Sequence, residues 1–308
     1  MELKKEIIWL AGGDGLIGNF LTNSLFADEF HWLIFTRKIK KSHRPNVEYV
    51  LWNTETQTIP DDILRPDHII NLAGAGIADR LWTAARKQII IASRVNSALT
   101  IKNYLEKHQI TPSTYISASA IGYYGDLGED LADESSNKGN GFLAHCCGLW
   151  EAAAKETGSL CKRTIILRFG LVLSTKGGVL ARMMMTKPIR LFQYFGNGRQ
   201  WYSWIHIQDA GEIIYTLIRN TQCVGVYNLV SPDPINNREM MHDIMKTNKW
   251  KGILLSVPTF ALKWMLGEMA SVVLDSTKVK PTALLNIGYK FNFLRPGEAV
   301  KDLITKKL

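Results

Sequence analysis

The stretch WLAGGDGLIGNFLTNSLF, Trp9 to Phe26, constrains this chain more than any other. It joins an apolar run, Ile7 to Ala11, to a pattern with helical spacing, through a turn that carries Gly12, Gly15 and Gly18 at three-residue intervals. In a strand-turn-helix context the first glycine allows a tight turn and the second lets backbone amides approach a pyrophosphate. The third lets the helix pack closely against the strand. Gly15, Leu16 and Ile17 then open the helix, where unpaired amides and the positive end of the helix dipole favour an anion. Here the triplet predicts a nucleotide site rather than a bland glycine turn.

The rest of the chain extends that unit. Ile7–Ala11, His31–Thr36, Val47–Trp52, His68–Leu72, Thr114–Ser117 and Thr164–Arg168 read as strands, and the longest helical pattern runs from Thr83 to His108. Such alternation predicts an α/β fold: a Rossmann-type, doubly wound parallel sheet that binds ligands at the carboxyl ends of its strands. After Gly170 the rhythm changes, and QYFGNGRQWYSW is rich in glycine and aromatics. We read 1–172 as the nucleotide-binding domain, with 204–230 returning to it through a helix at Asp209–Asn220 and a strand at Gly225–Val230. The segments 173–203 and 231–308 form a smaller C-terminal α/β unit on the substrate side. Within it Asn236, with Glu239 three positions on, caps a helix, and Pro281 and Gly288 bracket a last short one.

The end of the second strand indicates which cofactor is preferred. A carboxylate there would hold the ribose 2′-hydroxyl of NAD; this chain has Thr36, Arg37 and Lys38. A hydroxyl followed by two cations suits a 2′-phosphate, so NADP (NADPH) is expected over NAD.

Composition removes other classes. The net charge is +9, from 37 Lys and Arg against 28 Asp and Glu, but the cations are scattered apart from short clusters such as RKIKK. Nucleic acid is therefore not expected as a partner. Cys146, Cys147, Cys161 and Cys223 are too few and irregular for a disulfide framework, which points to a reducing, cytoplasmic compartment. The start MELKKEIIWLAGGDG has lysines before an apolar run, as a signal peptide does, but Asp14 and the glycines cut that run short. Gly252–Leu274 is broken by Pro258, Lys263 and Glu268, so no membrane span is expected.

The motifs GGDGLIG, NLAGAGIADRLWTAARKQIIIASRVNSA, SASAIGYYGD, LWEAAA, RFGLVLSTKGGVLARM, GNGRQWYSWIHIQDA and GEMASVVLDSTKVKPTALLNIGYKF run nearly end to end. With them the chain resembles the extended, atypical short-chain dehydrogenase/reductase superfamily, in the NAD-dependent epimerase/dehydratase group. Within that group it resembles the epimerase family proteins with their own C-terminal extension. The resemblance implies that Leu72, Ala73 and Gly74 pass over the cofactor and that Trp52 and Asn53 lie near the adenine. It also implies that Asn96 sits on the helix behind the site. Ser117 and Ser119 then belong to the element ending the fifth strand, with Ser119 in the place of the catalytic Ser or Thr.

The superfamily's Tyr-x-x-x-Lys pair is missing: counting back from Glu151 puts Leu143 and Cys147 at its two positions. Leucine cannot transfer a proton, and a thiol is no permanent cation. Cys146 and Cys147 have no Cys-x-x-Cys spacing, so no metal site is expected. Cys146 reads as structural, and Cys147 as a small contact near the cofactor. Tyr123 is the replacement acid/base candidate, with packing over the ligand as its alternative. His206 reads as a satisfied buried histidine and Asp209 as the cap of the next helix. Arg199, Gln200 and Trp201 sit where related enzymes recognise substrate, or form an interdomain loop. Arg80 and Leu81 before Trp82 depart from the subgroup's pattern, which has a basic residue at position 81.

Two functions follow. The first is an NADP-dependent oxidoreductase or epimerase acting on a small polar substrate, sugar-like or carbonyl-bearing, with Ser119 polarising an oxygen and Tyr123 or water relaying the proton. The second is an inactive regulatory protein that senses NADP(H) and acts through a protein partner. A purely structural protein would leave the glycines and Arg37 without a purpose. The resemblance also implies a homodimer, through Thr83–His108 and the helix holding Cys146.

Overall fold

A computed structural model describes residues 5–184 and 186–306. The first four residues, with the leader-like lysines, lie outside the described residues. Seven strands form the central sheet: β1 (Glu6–Ala11), β2 (Phe30–Thr36), β3 (Val47–Leu51), β4 (His68–Asn71), β5 (Thr114–Ala120), β6 (Thr164–Phe169) and β7 (Gly225–Leu229). All neighbours are parallel, in the order β7-β6-β5-β4-β1-β2-β3. The order reverses between β1 and β4, which opens a crevice at the carboxyl ends there.

Strand alternation sorts the two faces. Ile8 and Leu10 of β1 enter one core with Ile116, Leu167 and Ile213. Ile7, Trp9 and Ala11 enter the other with Leu33, Phe35, Ile101 and Ala154. Both faces are dry, which is why the strands read as continuous apolar runs. The helices that cover them are α1 (Leu16–Asn23), α2 (Ala84–His108), α3 (Gly141–Gly158) and α4 (Ile207–Arg219). Thr83 caps α2 by accepting the Arg86 amide at 3.1 Å.

The smaller unit carries α5 (Asn237–Thr247), α6 (Thr259–Leu266) and α7 (Pro296–Thr305) around short strand pairs, among them Leu191–Phe195 with Ile253–Val257. Its core packs Leu173, Trp204, Met240, Ile244 and Val300 against Leu16, Ile17 and Phe20 of α1, so the unit leans on the first helix. Asn236 caps α5 through the Glu239 amide at 2.9 Å. Two expectations are corrected. His206, not Asp209, caps α4: its ring Nδ1 accepts the Gln208 amide at 3.0 Å, while Asp209 accepts the backbone amides of Asn292 and Phe293. The short helix Thr282–Asn286 is not the last, because α7 follows with Pro296 in its first turn.

Candidate functional site

The glycine turn is built by exclusion. Gly12 has φ +81°, and a Cβ there would meet the Leu72 carbonyl at 2.7 Å and the Ala73 nitrogen at 2.9 Å. A Cβ on Gly18 would lie 2.6 Å from the Gly12 oxygen. Any side chain at either position therefore separates β1, α1 and the loop after β4. Gly15 is the N-cap of α1 and supplies no side-chain cap, and the first turn carries no acidic residue. The opening amides of α1 thus face the crevice free for an anion. Leu16 and Ile17 contribute there through backbone only, since their side chains pack into the smaller unit's core. Asp14 on the turn is paired with Lys40 at 2.5 Å.

Beyond β2 and β3 lies a cavity of about 440 Å³ lined by Arg37, Leu51, Trp52, Asn53, Thr58, Ile59 and Pro60. Trp52 is anchored in the core against Phe35, with ring centroids 5.0 Å apart. The Asn53 side chain accepts the Glu55 and Thr56 amides and so closes a tight turn. Buried Thr36 accepts the Lys38 amide at 3.3 Å, which turns the chain so that Arg37 and Lys38 stand exposed. Arg37, Trp52 and Asn53 are thereby brought together.

On the other side of β1 the loop Leu72–Gly74 is held by residues that sequence reasoning missed. Buried Asn71 accepts the Ala73 amide at 3.2 Å and donates to Ser97 and to the Tyr115 hydroxyl. Ser93 accepts the Ala75 amide at 2.9 Å. The α2 face toward this loop carries Ile90, Ser93, Arg94 and Ser97. Asn96 lies two residues beyond Arg94, about 200° round the helix, and its backbone carbonyl accepts the Thr100 hydroxyl at 2.6 Å. Arg94 packs directly beneath the loop, its guanidinium carbon 3.1 Å from where a Gly74 Cβ would stand.

The end of β5 carries a buried ionic network. Ser119, 2% exposed, donates to Glu151 Oε1 at 2.7 Å. Arg168 donates to both Glu151 oxygens at 2.8 Å and to the Tyr124 hydroxyl at 2.9 Å. Tyr124 in turn donates to Asn228 at 2.7 Å, and burial pushes its hydroxyl up to about 12, so it keeps its proton at neutral pH. Ser117 is fully buried beside it in sequence and donates to the Ala118 carbonyl. The Ser119 hydroxyl is thus engaged by Glu151 in this structure.

Tyr123 follows Ser119 on the loop after β5. Its ring lies 3.5 Å beneath the Arg168 guanidinium and lines a second cavity, about 360 Å³, with Lys138, His145, Gly148 and Ala152. Of its α3 lining, His145, Gly148 and Ala152 lie opposite the helix face that carries Leu143 and Cys147, whereas Glu151 lies beside that face. Leu143 packs on Gly122, and the Cys147 thiol lies against the Ala120 backbone, where burial pushes it up to about 12. Leucine has no acidic proton, and the Cys147 thiol stays protonated at neutral pH. Gln200 is buried and donates to the Phe195 and Val273 carbonyls, and the Trp201 indole donates to Glu129, so both brace the loop; Arg199 is exposed. His206 is fully buried, which holds its pKa down at about 4. Among the described residues no cluster of three or more His, Cys, Asp and Glu side chains is placed to hold a metal ion, and no helix is long and apolar enough to cross a membrane.

With that geometry in view, the comparisons with known proteins are specific. Residues 257–303 match a domain of unknown function, DUF1731. The epimerase family protein YfhF of Bacillus subtilis is 31% identical over 301 residues, covering 97% of this chain and 98% of its own. The epimerase family protein SERP0438 of Staphylococcus epidermidis is 34% identical over 300 residues, with coverage of 96% and 98%. The crystal structure of the human epimerase family protein SDR39U1 (isoform 2) with NADPH superposes with a TM-score of 0.86 at 25% identity, over 97% of this chain and 99% of that one. Residues 8–229 match the NAD dependent epimerase/dehydratase family, and the chain belongs to it.

Proposed function

We propose that the chain is an NADP(H)-binding oxidoreductase or epimerase for a small polar substrate, sugar-like or carbonyl-bearing, that works without a tyrosine-lysine proton relay. The observation that carries the cofactor reading is the exposed Arg37 at the mouth of the Trp52–Asn53 cavity, where an NAD site would have a carboxylate. The residues fit the group. The opening amides of α1 suit the pyrophosphate and Arg37 and Lys38 the 2′-phosphate, while the loop Leu72–Gly74, packed closely on Gly12, borders the crevice between them and β5. The NADPH found with the human relative agrees with this assignment.

When bound, NADPH supplies a hydride. This chain's residues position that chemistry more than they transfer protons. Leu143 has no exchangeable proton and Cys147 holds its own tightly. Ser119 must release Glu151 before its hydroxyl can reach a substrate oxygen, so the proton comes from water. A second reading, a cofactor sensor acting through a protein partner, is favoured by the placement of Tyr123 away from the Cys147 face of α3.

Calorimetric titration with NADPH and NADH tests the cofactor reading. NADPH should bind more tightly, and Arg37→Ala should weaken NADPH about 10- to 100-fold, the value of one charge-assisted phosphate contact, while sparing NADH. Equal affinity for both cofactors sinks the NADP assignment. Change of NADPH absorbance with any carbonyl or sugar substrate separates enzyme from sensor.

A further inference from the structure

Arg94 is a buried cation without an anion. It is 6% exposed, and no carboxylate among the described residues comes within ion-pairing distance of it. Its guanidinium carbon lies 4.8 Å from the centroid of the Trp150 ring, a cation–π contact that helps hold it in place. Nη1 donates to the Ala75 and Ile90 carbonyls at 3.1 and 2.9 Å, but Nε and Nη2 have no protein partner. Neither is sealed away, since neither is among the fully enclosed unpartnered polar atoms. A buried charge in this condition is costly unless a ligand completes it.

Its position says which ligand. Arg94 sits beneath Gly74, on the loop that touches Gly12, and its charge reaches Cys146 and Cys147, whose thiol abuts the end of β5. The Arg37 cavity lies at the ends of β2 and β3, on the far side of β1. From β3 to β4 is three strand spacings, about 14 Å. A dinucleotide with its pyrophosphate at α1 and its phosphorylated adenosine at Arg37 must extend its other half toward β4, β5 and Arg94.

We propose that Arg94 is the fixed cation of this crevice. It holds oxygens of the nicotinamide ribosyl half, and its charge favours the neutral reduced ring over the cationic oxidised one. The proposal rests on the NADP(H) reading above. It moves the positive charge that the Cys147 position lacks from α3 to the neighbouring helix α2, and it poises the site toward NADPH.

The test measures affinities for NADPH, NADP⁺ and adenosine 2′,5′-bisphosphate on the wild-type chain, Arg94→Gln and Arg94→Lys, with melting temperatures to verify folding. Wild-type chain should prefer NADPH over NADP⁺ by about tenfold or more. Arg94→Gln should weaken NADPH by about tenfold or more, collapse that preference, and leave adenosine 2′,5′-bisphosphate unchanged. Arg94→Lys keeps the charge in case the neutral variant does not fold; it should retain the preference for the reduced form while losing part of the affinity. The proposal is overturned if a folded variant of either kind leaves NADPH affinity within about twofold of wild type, or if adenosine 2′,5′-bisphosphate weakens equally. Failure of wild-type chain to bind any of the three would instead overturn the cofactor reading itself.

Discussion

Replacing Glu151 by Gln should destabilise the fold by about 3–5 kcal/mol, the usual cost of breaking a buried ion pair on one side. The structure supports the upper half of that range. Glu151 and Arg168 are 3% and 4% exposed, and the carboxylate accepts three hydrogen bonds of 2.7–2.8 Å, two from Arg168 and one from Ser119. A glutamine amide turns one of those acceptors into a donor facing a guanidinium, and leaves the cation uncompensated among Tyr123, Tyr124 and Ser119. Urea unfolding measures the loss; with a slope of about 3 kcal/mol/M the midpoint falls by about 1.3–1.7 M. The double variant Glu151→Leu with Arg168→Met removes both charges and should lie within about 2 kcal/mol of wild type, giving a large coupling energy. A single-variant loss below about 1 kcal/mol, or a double-variant loss equal to the sum of the single ones, would refute the reasoning.

Three further outcomes follow from the same packing. Ser119→Ala removes one charge-assisted bond and should cost about 1.5–3 kcal/mol in urea unfolding; a loss near zero means that the hydroxyl is not held by Glu151. Asp275 is held up at about 6, by burial first and then by the Asp126 charge. Its folded pKa lies above the unfolded value, so it supports the fold only at low pH and opposes it as pH rises through 6. Asp275→Asn should therefore gain about 1–2 kcal/mol at pH 7.5, after allowance for its partial exposure, and nothing at pH 4; an equal gain at both would contradict this. Cys147 and Cys161 are both pushed up to about 12 by burial, so neither should react with iodoacetamide at pH 7.5 while the protein stays folded, as peptide mass mapping will show.

What the sequence made legible follows the range of each signal. The β1 turn and its glycines are local, and every predicted strand of the central sheet forms within a few residues of its expected bounds. On α2 the helical phase also puts Arg94 on the inner face with Ser97, and counting around the helix would have found it. Ser119, Glu151 and Arg168 converge from positions 32 and 17 residues apart, and nothing local pairs them. The stacking of Tyr123 on Arg168 was illegible for the same reason, since the two lie 45 residues apart and nothing local pairs them. The helix α7 was missed although Pro296 and Glu298 give its start, because Ala299, Val300 and Leu303 form a short apolar stripe.

Whether this crevice holds the 2′-phosphate can be read from ³¹P NMR of NADPH added to the protein. The 2′-phosphate resonance should shift on binding, the phosphate should stay dianionic below pH 6 beside Arg37, and Arg37→Ala should return its titration to that of free NADPH. Pyrophosphate resonances that move while the 2′-phosphate titrates as in free solution would contradict the claim, showing a bound nucleotide whose phosphate Arg37 does not hold.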